Sequence, residues 1–255
     1  MKKNIKNKLK NQELTIGSWI TIGHPSIVEI MSEFEFDWLV IDLEHSSIDI
    51  QTTLTLISLI QSKGISALVR VSKNEEVIIK RVMDAGADGI IVPMINSYMD
   101  VCKAVEYVHY PPKGKRGVGL ARAQKYGKGF NEYKEWLKVN AVIIGQIEHK
   151  DAVDNIEDIV SKEGLDGVII GPYDLSGSLN IPGELTHPDV LGAISKVKEV
   201  CRKYKMPLGD HVIEPNAENM ISRIKDDYSF LAFSVDFLFL GHKLRDEFDL
   251  INQLK

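Results

Sequence analysis

Only two cysteines, Cys102 and Cys201, occur in the 255 residues, far apart and without metal-ligand spacing. A disulfide framework and a thiolate metal centre are therefore excluded, and both are expected as packed thiols in a reducing cytoplasm. A basic stripe is also lacking. The net charge is −5 with the two signs interspersed, which argues against a nucleic-acid surface. The longest apolar run, Phe230 to Leu240, is interrupted by Asp236 and falls short of a membrane span, so no membrane partner is expected. The basic start, Met-Lys-Lys-Asn-Ile-Lys, has no signal-type apolar core after it and reads as a helical arm over residues 1–12. Several chemical signatures are missing too. No Gly-x-Gly-x-x-Gly turn follows the first apolar run, and neither Ser176 nor Ser178 sits in a nucleophile elbow. Lys73 and Lys150 fall in solvated positions, which leaves no desolvated amine for Schiff-base chemistry. The last two strands carry no Gly-rich phosphate cradle.

What is present is alternation. Short runs rich in Val and Ile, such as Leu14 to Ile22, Asp37 to His45, Ser66 to Val71, Ala87 to Pro93, Ala141 to Glu148 and Leu165 to Pro172, read as buried parallel strands. Segments with an apolar stripe at helical spacing lie between them, including 27–34, 49–62, 75–85 and 97–108. Beyond the sixth strand, helices are expected at 188–204 and 215–224, with strands at 206–208 and 230–235 and a C-terminal helix over 237–255. Ala87-Asp88-Gly89-Ile90-Ile91-Val92-Pro93 resembles Leu165-Asp166-Gly167-Val168-Ile169-Ile170-Gly171-Pro172, as repeated βα units do. Eight strands alternating with helices predict one (β/α)8 TIM barrel over residues 1–255, and a doubly wound open sheet is the alternative. The Pro- and Gly-rich stretch over 110–130 is too long for a plain connection and is expected to be an active-site loop.

In a barrel the strands' C-terminal ends converge on one face, so the polar residues found there belong to one cluster: Asp42, Glu44, His45, Arg70, Gln146, Glu148 and Asp174. Glu148 and Asp174 end neighbouring strands and offer two hard oxygen ligands for Mg²⁺ or Mn²⁺, with Co²⁺ or Zn²⁺ as alternatives. Solvated loop acids are the competing reading. His45 is a candidate general base, or a solvated loop histidine. Arg70 is a rim salt bridge to a carboxylate such as Asp42, Glu44 or Asp84, a fixed cation for an oxyanion or substrate carboxylate, or both together.

The segments Gly17-Ser18-Trp19, Leu39-Val40-Ile41-Asp42-Leu43-Glu44-His45, Val69-Arg70-Val71, Asp84-Ala85-Gly86-Ala87-Asp88-Gly89, Tyr110-Pro111-Pro112-Lys113-Gly114-Lys115-Arg116-Gly117, Gln146-Ile147-Glu148 and Gly171-Pro172-Tyr173-Asp174-Leu175-Ser176 together resemble the class II pyruvate aldolases of the HpcH/HpaI family. The resemblance implies a metal-dependent enzyme that cleaves a 4-hydroxy-2-oxo acid to pyruvate and an aldehyde. It makes Glu148 and Asp174 metal ligands, and Gln146, Tyr173 and Asp174 substrate contacts. Arg70 would stabilise the enolate oxygen, and His45, backed by Asp42 and Asp84, would transfer protons. It also implies a homohexamer, a trimer of dimers, with the C-terminal helix exchanged between subunits. The chain departs from familiar members at Gly209-Asp210-His211-Val212 and at Arg122-Ala123-Gln124-Lys125. From these segments His211 is expected to reach the aldehyde half of the substrate, with packing beside the rim as the alternative, and Arg122 to meet a distal carboxylate or hydroxyl. An acyl-CoA lyase of the same superfamily and a catalytically silent 2-oxo-acid-binding protein are the remaining readings.

Overall fold

The computed structural model describes residues 4–254, and the outermost parts of the expected N-terminal arm and C-terminal helix, residues 1–3 and 255, lie outside the described residues. Eight parallel strands, β1 (Thr15–Ile20), β2 (Trp38–Asp42), β3 (Ser66–Arg70), β4 (Gly89–Val92), β5 (Val142–Ile147), β6 (Gly167–Ile170), β7 (Leu208–Val212) and β8 (Phe230–Val235), pair in chain order, and β8 returns to β1 to close a barrel. Around them run α1 (Ile5–Lys10), α2 (Pro25–Met31), α3 (Ile50–Ser62), α4 (Glu76–Ala85), α5 (Tyr98–Val108), α6 (Phe130–Asn140), α7 (Lys150–Asp154), α8 (Ile156–Val160), α9 (Pro172–Ser178), α10 (Pro188–Tyr204), α11 (Ala217–Lys225) and α12 (Asp236–Asn252). The expected barrel is the observed one. Helix ends follow local chemistry: Asp49 and Ser97 cap α3 and α5 through their side chains, and Gly86, at φ 98°, ends α4 in the left-handed region that glycine enters without a Cβ penalty.

Each strand is buried on both faces, and side chains alternate between two cores. Trp38, Val40, Leu68, Ile91, Val142, Ile144, Ile169 and Phe230 fill the barrel interior. Leu39, Ile41, Val69, Ile90, Ile143, Val168 and Leu231 face the helices. Helix α1 closes the barrel mouth at the strands' N-terminal ends. Its Ile5 and Leu9 join the interior cluster, while Lys6 Nζ donates to Ala141 O at 2.6 Å and Lys8 Nζ to Asp37 at 2.8 Å. At that same end the Trp38 indole stacks on Phe230 at 4.3 Å between centroids and lies flat against Gly17, where a Cβ would fall inside the indole. Gly17→Ala is expected to lower unfolding free energy by about 3 kcal/mol through overpacking, read from denaturant curves. A loss below about 1 kcal/mol would show that the indole can move aside.

Three expectations change. Strand β7 spans Leu208–Val212, beyond the expected 206–208; Gly209-Asp210 reads as a turn, yet it pairs with Ile169 and Ile170 on one side and with Phe230 and Leu231 on the other. Helices α6 and α9 had no sequence signal, because α6 buries only Tyr133 and Leu137 and α9 is a short turn begun by Pro172. The 110–130 stretch is not an active-site loop of its own barrel. It follows α5, which runs back toward the N-terminal ends of the strands, and it is anchored there: Arg122 donates to Ala85 O and Gln61 Oε1 at 3.0 Å each, and the fully buried Arg116 packs its guanidinium 4.4 Å from the Tyr110 ring centroid.

His109 is buried where this stretch begins. Burial, with the positive charges of Lys113, Lys6 and Arg116, holds its imidazole down to about 3. The unfolded chain takes up that proton near the ordinary histidine value and the folded chain does not, so the contribution to stability is full above about pH 6.5 and is lost as pH falls. Between pH 7 and 5 the wild type is expected to lose about 2 kcal/mol more than His109→Gln, measured by urea denaturation. Equal slopes for the two proteins would contradict this.

Candidate active site

The period of two that fills the interior with apolar side chains continues one step beyond it toward the C-terminal ends, and there it turns polar. Asp42 ends β2 and Arg70 ends β3, and the register pairs the two directly. Gln146 lies near the end of β5, Glu148 follows two residues later, and His211 lies near the end of β7. A cavity of about 220 Å³ opens among Trp19, His45, Arg70, Gln146, Tyr173, Asp174 and His211. Two larger clefts, of about 640 and 750 Å³, lie beside Arg122 and along α10; the second adjoins the cavity through Ile170 and Pro172, and neither is lined by the polar strand-end groups named above.

Arg70 is held on three sides. Its Nε and Nη2 donate to the two Asp42 oxygens at 2.9 and 2.7 Å, its Nη1 lies 3.2 Å from Glu44 Oε2, and its guanidinium sits 4.4 Å over the Trp19 ring. The Nη1 contact with Glu44 is an ion pair without a hydrogen bond, so of the five guanidinium N–H groups two are taken by Asp42 and three remain for another acceptor. Burial pushes the Asp42 carboxyl upward, but the Arg70 hydrogen bonds and charge outweigh it and hold Asp42 below the usual carboxylate range.

Glu148 is in the opposite situation. It is 3% exposed, Met94 N–H donates to its Oε1 at 2.7 Å, and the Gln146 amide donates to its Oε2. Met94 holds φ 54°, a left-handed conformation costly for a side-chain residue, and so aims its N–H at the carboxylate. Gly171 packs against the other side, where a Cβ would lie 2.8 Å from Glu148 Oε2. Burial first, and then the negative charges of Glu44 and Asp174 against the opposing Met94 bond, raise the Glu148 carboxyl to about 7. Glu44 is raised as well, by burial and by Asp42 and Asp174 against Arg70. These three acidic groups face one region, and the one nearby guanidinium is already engaged by Asp42. Gln146 Oε1 is buried without a hydrogen-bond partner.

This donor set suits a hard divalent cation: two carboxylates, Glu148 and Asp174, in excess negative charge, beside an orphaned amide oxygen. Among the described residues no three His, Cys, Asp or Glu groups form a ready metal-ligand cluster, so the chain offers at most part of a coordination shell here.

The remaining sequence candidates divide. His45 is at the rim with its side chain 66% exposed and its Nε2 4.0 Å from Glu44. Asp42 accepts the His45 backbone N–H at 3.3 Å, so it fixes the turn and does not back the imidazole. Asp84 is not brought to His45 within the chain: it ends α4 near Arg116 and Lys80, at the other mouth, where burial outweighs those two cations and raises its carboxyl. Arg122 shares that mouth and does not meet this cavity. Tyr173 and Asp174 occupy the first turn of α9 and line the cavity, and His211 lines it too, with Nε2 3.0 Å from Ser234 O. Sequence reasoning passed over Trp19, the platform under Arg70; Met94, whose role lies in a backbone N–H; and Glu44, seen in the cluster but given no role.

A family model for the HpcH/HpaI aldolase/citrate lyases matches residues 15–238. The chain belongs to this family. A 5-keto-4-deoxy-D-glucarate aldolase of Klebsiella pneumoniae is 32% identical over 246 residues, 95% of each chain. Among solved structures, an HpcH/HpaI aldolase/citrate lyase family protein from Burkholderia cenocepacia superposes with a TM-score of 0.92 at 27% identity, over 98% of this chain and 99% of that one. A citrate synthase structure superposes at 0.86 with 26% identity over 98% of each chain. As a family member the protein is a carbon–carbon lyase of the aldolase type, and the strand-end cluster lies where TIM barrels place their chemistry.

Proposed function

We propose that the protein is a class II pyruvate aldolase that reversibly cleaves a 4-hydroxy-2-oxo acid to pyruvate and an aldehyde. The observation that carries this reading is Glu148, buried, fixed through both oxygens and crowded by Asp174 and Glu44 without a cation of its own. Glu148 and Asp174 would hold the metal, with Mg²⁺ or Mn²⁺ favoured over Co²⁺ or Zn²⁺ by an all-oxygen donor set. When bound, the ion supplies Lewis acidity to the 2-oxo acid.

The chain's own groups do the rest. Gln146 Oε1 accepts from substrate or water beside Glu148. Arg70, immobilised by Asp42 and Trp19, directs its free N–H groups to the oxygen that becomes negative as the C3–C4 bond breaks and pyruvate departs as its enolate. His45, exposed at the rim with Glu44 beside it, takes the proton of the 4-hydroxyl and returns it in the synthetic direction. The test is pyruvate release from 5-keto-4-deoxy-D-glucarate, the compound named in the Klebsiella relative, coupled to a dehydrogenase. Release is expected to stop on chelation and return with Mn²⁺, and release that survives full chelation would overturn the reading. The likeness to a citrate synthase supports a second reading, addition of a carboxylic-acid enolate to a 2-oxo acid, and mass spectrometry of the products separates the two.

The working unit in this reading is a homo-oligomer, a hexamer, in the cytoplasm. Helix α12 leaves Phe237, Leu240, Leu244, Phe248 and Ile251 exposed at helical spacing, with Asp236 its only buried residue. That stripe is suited to a neighbouring subunit. Leu244→Glu with Phe248→Glu is expected to lower the particle mass by light scattering, and an unchanged mass would contradict it. No helix among the described residues is long and apolar enough to cross a membrane.

A further inference from the structure

We propose that the cleft beside Arg122 is a second ligand site, one that takes a small organic oxyanion, a carboxylate or phosphate carried on a flat apolar body. The cleft, about 640 Å³ in volume, lies at the opposite mouth from the strand-end cluster, so the site stands apart from the aldolase reading. Its first feature is a cation without a counterion. Arg122 Nη1 and Nη2 donate at 3.0 Å to Ala85 O and Gln61 Oε1, which are neutral acceptors, and no carboxylate among the described residues forms an ion pair with the guanidinium. Three of its five N–H groups remain, and Nε, which has no partner, is not sealed from the cleft. Burial lowers the guanidinium from its ordinary value, with Tyr126 and Asp88 opposing that effect only in part. A bound anion would remove the imbalance.

The cation is built into its place. A Cβ on Gly86 would stand 2.5 Å from Arg122 Nη1, so the glycine that ends α4 also makes room for the guanidinium. Gln61 is fixed in turn: its Nε2 donates to Gly86 O at 2.8 Å and to Asp88 Oδ2 at 3.0 Å, which turns Oε1 to Arg122. The other charged groups of the cleft are engaged nearby. Lys125 Nζ pairs with Glu132 Oε2 at 2.5 Å, and Asp88 also accepts the Ala67 N–H at 2.9 Å. The wall is aromatic. Tyr133 and Trp136 stack at 5.6 Å with their planes 14° apart, and Tyr126 lines the same cleft while remaining exposed. Lys125, Tyr126 and Gly127 stand in succession at φ 52°, 53° and 99°, a left-handed run that side-chain residues rarely adopt and that brings Tyr126 to the cleft. A flat ring has stacking partners there, and its anionic group meets Arg122.

The experiment titrates the whole protein with phenyl phosphate, benzoate and methyl phosphate in a calorimeter. One phenyl probe per chain is expected, with a Kd of about 1 mM or below, the range open to a ligand of this size. Saturating pyruvate and Mn²⁺ should leave that binding unchanged, and the tighter of phenyl phosphate and benzoate identifies the anionic group. Arg122→Gln is expected to weaken every probe about tenfold or more, the size of one charge-assisted hydrogen bond. Tyr126→Ala, at an exposed residue, should cut the preference for phenyl over methyl phosphate about threefold, the worth of one aromatic contact. Absence of saturable binding, an unchanged affinity in folded Arg122→Gln, or displacement by pyruvate, which would put the probe at the C-terminal mouth, would each overturn the site. Should Arg122→Gln fail to fold, the Tyr126→Ala ratio decides, and an unmoved ratio counts against the proposal.

Discussion

Glu148→Ala is expected to lower kcat/KM for pyruvate release by about a thousandfold or more, because several kcal/mol of enolate stabilisation depend on the cation this carboxylate holds. Glu148→Gln should be nearly as inactive, yet its effect on stability has the opposite sign. The folded-state carboxyl is raised to about 7, so in the chelated wild type its stabilising contribution is present at low pH and is lost as pH rises through that value. The cause is burial together with Glu44 and Asp174, and the neutral amide carries no such penalty. Between pH 5 and 8 chelated wild type should lose about 3 kcal/mol relative to Glu148→Gln, measured by chemical denaturation. A Glu148→Gln variant less stable than wild type at pH 8 would mean that the carboxylate is held by an interaction other than a bound cation.

Arg70→Ala combines a loss of function with a loss of fold. Asp42 is 2% exposed, and its two strongest partners are the Arg70 Nε and Nη2 bonds. Removing the guanidinium leaves a buried carboxylate with only the backbone N–H groups of Glu44 and His45. A cost of about 3–5 kcal/mol is expected, together with a fall in kcat of a hundredfold or more from the lost oxyanion donor. Arg70→Lys should recover little, since one ammonium cannot span both Asp42 oxygens and stack on Trp19. The double variant Arg70→Met with Asp42→Leu separates the two effects: folding should return and activity should not. Activity at wild-type levels in any of these Arg70 variants would remove the guanidinium from the chemistry.

The barrel was legible because its strands are buried on both faces and therefore read as unbroken Val and Ile runs, a pattern that α/β folds produce and few others do. Strand β7 was the exception, since Gly209, Asp210 and His211 carry the composition of a turn and only the pairing on both sides makes them a strand. The acidic pair and Arg70 were legible for a related reason: a period of two that stays apolar for several steps and then ends in charge marks the mouth of a barrel. Side-chain neighbours were not. The Asp42 carboxylate was expected both behind the His45 ring and as one of three salt-bridge partners for Arg70, and the β2–β3 register gives it the second place. Asp84 and Arg122 lie on segments that follow helices, and a helix after a strand returns the chain to the far mouth, which places both away from His45. Met94 and Ser234 act through backbone groups in left-handed conformations, and such roles leave no trace in residue type.

The central claim is that Glu148 and Asp174 share one divalent cation at the C-terminal mouth. Crystals grown with Mn²⁺ and pyruvate, measured at the manganese absorption edge, test it most directly. An anomalous peak within coordination distance of both carboxylates, with pyruvate oxygens completing the shell, is the predicted result. A fully occupied peak elsewhere, or pyruvate bound between Glu148 and Arg70 with no peak at all, would contradict it.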